Sequence, residues 1–208
     1  MIRSAFLDMA GTAAALLREP VLAERWSRPS ALPDFSMGGL ARHLAYQVTH
    51  TVIFLGAAPG RSAISVLEHF TGNTWVTSGV GSVDNIGIRR RSEQAAASIT
   101  AEGLADAVDA ALTELRAVVP AQPLDRIVDL GEWGLRVDDF LLTRVMELVV
   151  HVDDLAVSLS LPTPSMPAAA TEATIHLLTS LAAWRHGSLN VMRALARQER
   201  APTSIAAL

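Results

Sequence analysis

The sequence predicts an all-α protein, a four-helix bundle carrying additional C-terminal helices, on three observations. Half of the 208 residues are hydrophobic but only 5% are aromatic. Ala and Leu dominate, a bias that favours helices over the β-branched and aromatic composition of sandwiches and barrels. Apolar residues recur three or four apart through several stretches of roughly twenty residues, the period of a helix with one buried face. The third observation is the stretch Leu141 to Leu159, LLTRVMELVVHVDDLAVSL. Its apolar set Leu141, Val145, Leu148, Val149, Val152, Leu155 and Leu159 marks a core helix. Arg144, Glu147, His151 and Asp154 fall at i, i+3, i+7 and i+10 and form one polar stripe along it.

Taken in order, residues 4 to 26 read as a first helix with Phe6, Met9, Ala13, Leu16, Leu17 and Leu22 on one side. Pro20 is expected to kink or split it, because proline lacks the amide hydrogen and clashes with the preceding turn. Two prolines, Pro29 and Pro33, mark the loop that follows. Ser36 is a candidate N-cap for a second helix from Met37 to about Gly56. His43, Gln47 and His50 share one stripe of it, beside the apolar set Leu40, Leu44, Val48, Val52 and Leu55. Pro59 and Gly60 end that segment, and Ser62 to Phe70 is a possible short helix. Thr71 to Arg91, rich in Gly, Asn, Ser and Thr, is predicted as a long connection between the second and third long helices. Loops of that length are often functional, and Asn73, Trp75, Asp84 and Asn85 are available there.

Ser92 to Val119 is predicted as the third long helix, with Ile99, Leu104, Val108, Leu112, Leu115 and Val119 as its core stripe. Leu124 to Leu130 alternates weakly and suits a short strand, and Gly131 to Gly134 is a turn containing Trp133. After Pro162, Pro164 and Pro167, a helix is expected from Ala168 to His186, closed by Gly187, and a last one from Leu189 to Arg200. The expected organisation is a single domain over 1–208, its C-terminal helical extension covering 168–200.

Composition also excludes function classes. The formal net charge is −4, and the one basic run is Arg89-Arg90-Arg91, which argues against a partner bound through a phosphate backbone. There is no cysteine, so disulfides, thiolate metal ligands and a cysteine nucleophile are excluded, and any thiol chemistry must use an external thiol. No secretory leader and no membrane-spanning run is visible, which leads to the expectation of a soluble, cytoplasmic protein. A homodimer is left open.

The polar stripe carries the chemistry. Glu147 and His151, four apart, either form a salt-bridged pair on a solvated face or place an oxygen and a nitrogen on one divalent cation about 2.0–2.2 Å away. Helical bundles build metal sites from side chains on facing helices. His43 from the second helix would complete a tripod of two imidazoles and a carboxylate, which leaves the open position that a catalytic zinc site needs. His50 is the fallback ligand if the register of that helix is shifted. Asp154, one turn beyond His151, is either an exposed acid or a group that orients an imidazole. Arg144 either pairs with Glu147 or meets an acidic substrate.

Two segments carry a family resemblance: Ser36-Met37-Gly38-Gly39-Leu40-Ala41-Arg42-His43-Leu44, and Thr143 to Leu155 with its Glu-x-x-x-His-x-x-Asp-Leu pattern. Together they resemble the metal-binding domain of mycothiol-dependent maleylpyruvate isomerases, members of the DinB-like helical-bundle group, over about residues 5–161. The ending Leu189 to Arg197 is similar to the ends of short, single-domain relatives. The resemblance implies zinc, or another divalent metal, bound by His43, Glu147 and His151, and mycothiol as thiol cosubstrate. It implies an S-transferase or isomerase-like metalloenzyme acting on a small electrophilic substrate; Asp154 and Arg144, taken from the stripe itself and not from the resemblance, are the candidate catalytic residues. The family's isomerase has a second domain that closes over the site and supplies an arginine. The last two predicted helices do not resemble that domain, so the expectation is a thiol-dependent enzyme rather than that isomerase. The alternative is a non-catalytic metal- or ligand-binding helical module.

Overall fold

A computed structural model describes residues 1–60, 62–73, 76, 78 and 81–208. Four long helices form the bundle: α1 (Ile2–Leu17), α3 (Met37–Gly56), α6 (Ala101–Ala121) and α7 (Val137–Leu159). They close a ring in which α1 packs on α7, α7 on α3, α3 on α6 and α6 on α1. Shorter elements decorate it: α2 (Pro20–Glu24), α4 (Val66–Thr71), α5 (Val83–Ala96), a hairpin of β1 (Ile127–Asp129) and β2 (Gly134–Arg136), α8 (Ala168–His186) and α9 (Ser188–Ala196). A 3-10 turn at Gln198–Arg200 follows. The fold is all-α, with the antiparallel hairpin as the only sheet among the described residues.

The core follows the helical periodicity. Phe6, Met9 and Ala13 of α1, Leu40, Leu44 and Val48 of α3, Val108 and Leu115 of α6, and Leu141, Val145, Leu148, Val152 and Leu155 of α7 are fully buried. Ala5, Ala10, Ala13 and Ala14 make much of the inner face of α1, and such small side chains let neighbouring helices approach closely. Pro20 splits the first predicted helix by occupying the first turn of α2, where its missing amide hydrogen costs nothing.

Four predicted boundaries are corrected. The segment Ser92 to Val119 is not one helix: α5 ends at Ala96 and α6 begins at Ala101. The hydroxyl of Thr100 accepts from the Gly103 amide and starts a new helix with its own first turn. The connection predicted over 71–91 is accordingly shorter, because Val83 to Arg91 is helical, with Ser82 as N-cap. The helix is too polar to show an apolar stripe, so periodicity could not reveal it. Trp75 lies outside the described residues. The helix predicted over Leu189–Arg200 ends at Ala196, and the central helix starts four residues earlier than its apolar stripe suggested, at Val137. Among the described residues no helix is long and apolar enough to cross a membrane.

Candidate metal centre

The polar stripe of α7 faces α3 across the bundle. Its residues are only partly buried, whereas Val145, Met146, Leu148 and Val152 between them are buried. His43 sits on the second turn of α3, and its register is set at the start of that helix. The Ser36 hydroxyl accepts from the Gly39 amide, while Glu93 of α5 accepts from the Ser36 amide at 2.7 Å and its hydroxyl at 2.8 Å. Gly38 and Gly39 are required by close approach: a Cβ on Gly38 would lie 2.6 Å from the Trp26 ring, and one on Gly39 would collide with the Glu93 carboxylate.

This docking brings His43, Glu147 and His151 together, with one ligand atom from each lying within 4.8 Å of the others. Nε2 of His151 is 3.2 Å from Oε2 of Glu147, and Nε2 of His43 is 3.5 Å from the same oxygen. Tetrahedral ligands about 2.0–2.2 Å from a common ion stand roughly 3.3–3.6 Å apart; the His43 separation falls in that range and the His151 separation just short of it, so small adjustments would let the three share a cation. The imidazoles of His43 and His151 meet edge to face, with centroids 4.7 Å apart. Behind His151, Nδ1 lies 2.9 Å from Oδ2 of Asp154, the carboxylate–imidazole arrangement that fixes tautomer and ring orientation in metal sites.

The electrostatics suit ligand chemistry at two of the three groups. Burial pushes the Glu147 carboxyl upward, but hydrogen bonds from His151 and His43 outweigh it and hold Glu147 well below its usual range. His43 is lowered, mainly by loss of solvent and further by neighbouring His151. His151 behaves oppositely. Burial alone would lower it, yet Asp154 and Glu147 flank it and raise it to about 9.

Arg144 lies on the same stripe but makes no ion pair with Glu147 within 4.0 Å among the described residues. Instead its Nη1 donates to Oε1 of Gln47 at 2.8 Å and its Nε to the Thr143 hydroxyl at 3.1 Å, with the guanidinium over the Phe140 ring. His50 stacks on Tyr46 at a centroid distance of 3.8 Å and stands outside the convergent trio.

Two cavities flank the trio and share His43, Glu147 and Ile88 as walls. The first, about 470 Å³, is lined by Arg42, Arg91, Arg144, Tyr46, His50 and His69, with Glu147 its only carboxylate. The second, about 540 Å³, is more apolar, with Phe35, Met146, Val150 and Ile88 beside His151 and Asp154. Asn73 lines the first and Asn85 the second, while Asp84 lies in the first turn of α5. Sequence reasoning missed His69 and Arg42. His69 sits on a helix of six residues, too short for a periodic signal, although the capping box of Ser65 and Glu68 was available to place its start.

The chain's likeness to known proteins agrees with this geometry. No curated protein and no solved structure matches the chain. The family model described as mycothiol maleylpyruvate isomerase N-terminal domain matches residues 7–156. That span runs from α1 almost to the end of α7, and so takes in the whole bundle, the convergent trio and Asp154. With 150 of 208 residues matched, on a DinB-like all-α bundle, the chain belongs to the mycothiol maleylpyruvate isomerase N-terminal domain family.

Proposed function

We propose that the protein is a divalent-metal, thiol-dependent enzyme that activates a low-molecular-weight thiol for transfer to, or isomerisation of, a small electrophile. One observation carries the reading: two imidazoles and a carboxylate from two facing helices converge, with one ligand atom of each within 4.8 Å of the others, between two cavities. His43, Glu147 and His151 would hold the ion, and zinc suits a set of two nitrogens and one oxygen with a fourth position left open. When bound, such an ion acts as a Lewis acid that lowers the pKa of a coordinating thiol, ordinarily near 8.5, to below neutrality. The chain has no cysteine, so the thiol comes from outside, and the family's name supports mycothiol.

The chain's own residues prepare this chemistry. Glu147 stays ionised because both imidazoles donate to it. Asp154 orients His151 through Nδ1, which leaves Nε2 directed at Glu147 and the shared centre. The paired cavities, which share His43 and Glu147 as walls while His151 lines only the second, would give a thiol and an electrophile separate approaches to the centre.

Elemental analysis of purified protein, followed by thiol titration in weakly buffered solution, tests the reading. The expected result is one divalent ion per chain and release of a proton as the thiol binds. Metal without thiol-linked proton release would instead support a binding module, and His43→Ala and His151→Ala variants that keep their metal would remove the site altogether.

A further inference from the structure

We propose that His69 is a catalytic hydrogen-bond donor, its Nε2–H fixed by Trp133 and presented to the oxygen of a substrate carbonyl in the cavity beside His43 and Glu147. Nδ1 of His69 is 2.9 Å from the indole Nε1 of Trp133. An indole N–H can only donate, so Nδ1 must be the acceptor and the ring proton must reside on Nε2. Nε2 has no partner among the described residues and is not sealed from solvent. His69 lines the first cavity, whereas Trp133 does not, so the ring stands between the indole on one side and the cavity on the other.

The arrangement is built into the fold at both ends. Trp133 occupies the turn of the β1–β2 hairpin, where its carbonyl accepts from the Leu130 amide. The lead-in to α4 is tied to that hairpin, because the Ile64 amide donates to the Gly134 carbonyl at 3.0 Å. Phe70 and Val66 of α4 are buried with Met146 of α7, which fixes α4 against the helix that carries Glu147. Burial, helped by Arg144, lowers His69 to about 4, so the imidazole stays neutral at ordinary pH. A neutral imidazole with one fixed proton polarises an oxygen without giving that proton away.

The proposal deepens the thiol-enzyme reading and rests on it for the reaction. When a thiolate adds to a carbon conjugated with a carbonyl, a C–S bond forms and the π pair moves onto the carbonyl oxygen. His69 keeps its proton and donates to that oxygen, and breaking the C–S bond returns the pair. The cavity's other charged and titratable walls are Arg42, His43, Tyr46 and His50 on α3, Arg91 on α5, and Arg144 and Glu147 on α7; its three arginines outnumber its one carboxylate and suit negative charge accumulating there.

The test uses the full chain with 15N-labelled histidine and needs neither metal nor turnover. Nδ1 of His69 should resonate as an unprotonated nitrogen and Nε2 as a protonated one, without titrating between about pH 8 and pH 5. In Trp133→Phe the lock is lost, and the two ring-nitrogen resonances of His69 should move toward each other as both tautomers become populated. As a binding probe, 4-oxopentanoate should shift the Nε2 resonance, and pentanoate, which lacks the carbonyl, should not. His69→Phe should weaken 4-oxopentanoate binding about tenfold, the loss of one hydrogen bond, and leave pentanoate binding within about twofold. A proton found on Nδ1, titration near 6.5 in the wild type, or equal binding of the two probes overturns the proposal. Metal analysis of the same samples reports separately on the thiol-enzyme reading.

Discussion

Nδ1 of His151 and Oδ2 of Asp154 stand 2.9 Å apart across one turn of α7. The contact assigns the Nδ1 proton to the carboxylate side and turns Nε2 toward Glu147, 3.2 Å away. Groups of this kind behind a metal-bound imidazole set its orientation and basicity. Asp154→Ala should therefore weaken divalent-metal binding by about 10–100-fold, measured by competition with a chromophoric chelator. Its circular dichroism should match the wild type, since Asp154 is partly exposed and outside the core. Unchanged affinity would leave Asp154 as a surface acid.

The same carboxylate makes metal binding and stability respond to pH in opposite directions. In chelator-treated protein His151 is raised to about 9 from an ordinary 6.5 by Asp154 and Glu147, against the effect of burial. A folded-state pKa above the unfolded one contributes stability that is complete below about 6.5 and is lost as pH rises through about 9. The melting temperature of the stripped protein should fall across that window. A metal must displace the Nε2 proton of His151, so apparent affinity should rise about tenfold per pH unit until roughly pH 9. Parallel titrations and melting curves at several pH values check both slopes, and an affinity flat in pH would rule out proton displacement from His151.

Glu93 and Gly39 make a second relationship that reaches the site from a distance. Glu93 bonds the Ser36 amide and hydroxyl, and a Cβ at position 39 would collide with its carboxylate and lie 2.9 Å from the Phe35 ring, so these groups would have to shift. Gly39→Ala should cost about 1–3 kcal/mol by overpacking and displace the first turn of α3, on which the turn carrying His43 follows. Urea denaturation should reveal the loss, and metal affinity should fall although residue 39 touches no ligand. Glu93→Ala in the Gly39→Ala background relieves the carboxylate part of the clash, leaving the Phe35 contact, so the second substitution should cost less there than in the wild type.

The bundle was legible wherever packing imposes periodicity. Met37–Gly56 and Ala168–His186 coincide with their predicted spans, because each has a buried stripe and a clear boundary signal at one end or both. The break at Ala97–Thr100 was not legible, since Ile99 and Leu104 extend the apolar pattern across it and only the Thr100 cap interrupts the chain. The stripe Arg144, Glu147, His151 and Asp154 could be read from spacing. That His43, not His50, faces it depends on the approach of α3 to α7, and the family motif supplied that choice where spacing alone left both open. Spacing offered Glu147 as one partner for Arg144, but among the described residues the two form no ion pair. An amide on the facing helix, Gln47, reaches the guanidinium first, and nothing in local spacing reports a contact across 97 residues. His69 and Trp133 were invisible for the same reason, being joined only by the docking of α4 on the hairpin.

The Arg144–Gln47 bond also predicts a specific pattern of coupling. Gln47 is 2% exposed, and its Oε1 accepts from a guanidinium that burial already makes harder to protonate. Removing one partner of such a pair leaves the other buried without its bond, whereas removing both can be nearly neutral. Gln47→Leu alone should cost about 1–3 kcal/mol, because Arg144 then keeps only Thr143 and the Phe140 ring. Gln47→Leu with Arg144→Leu should recover a large part of that loss, a coupling of about 0.5–3 kcal/mol in a double-mutant cycle of urea denaturation. All of these variants should retain metal, since neither residue is among the convergent ligands. Additive losses would mean that Arg144 is held by the cavity as a whole rather than by Gln47, and would place its function in the cavity wall instead of in the bundle's internal bonding.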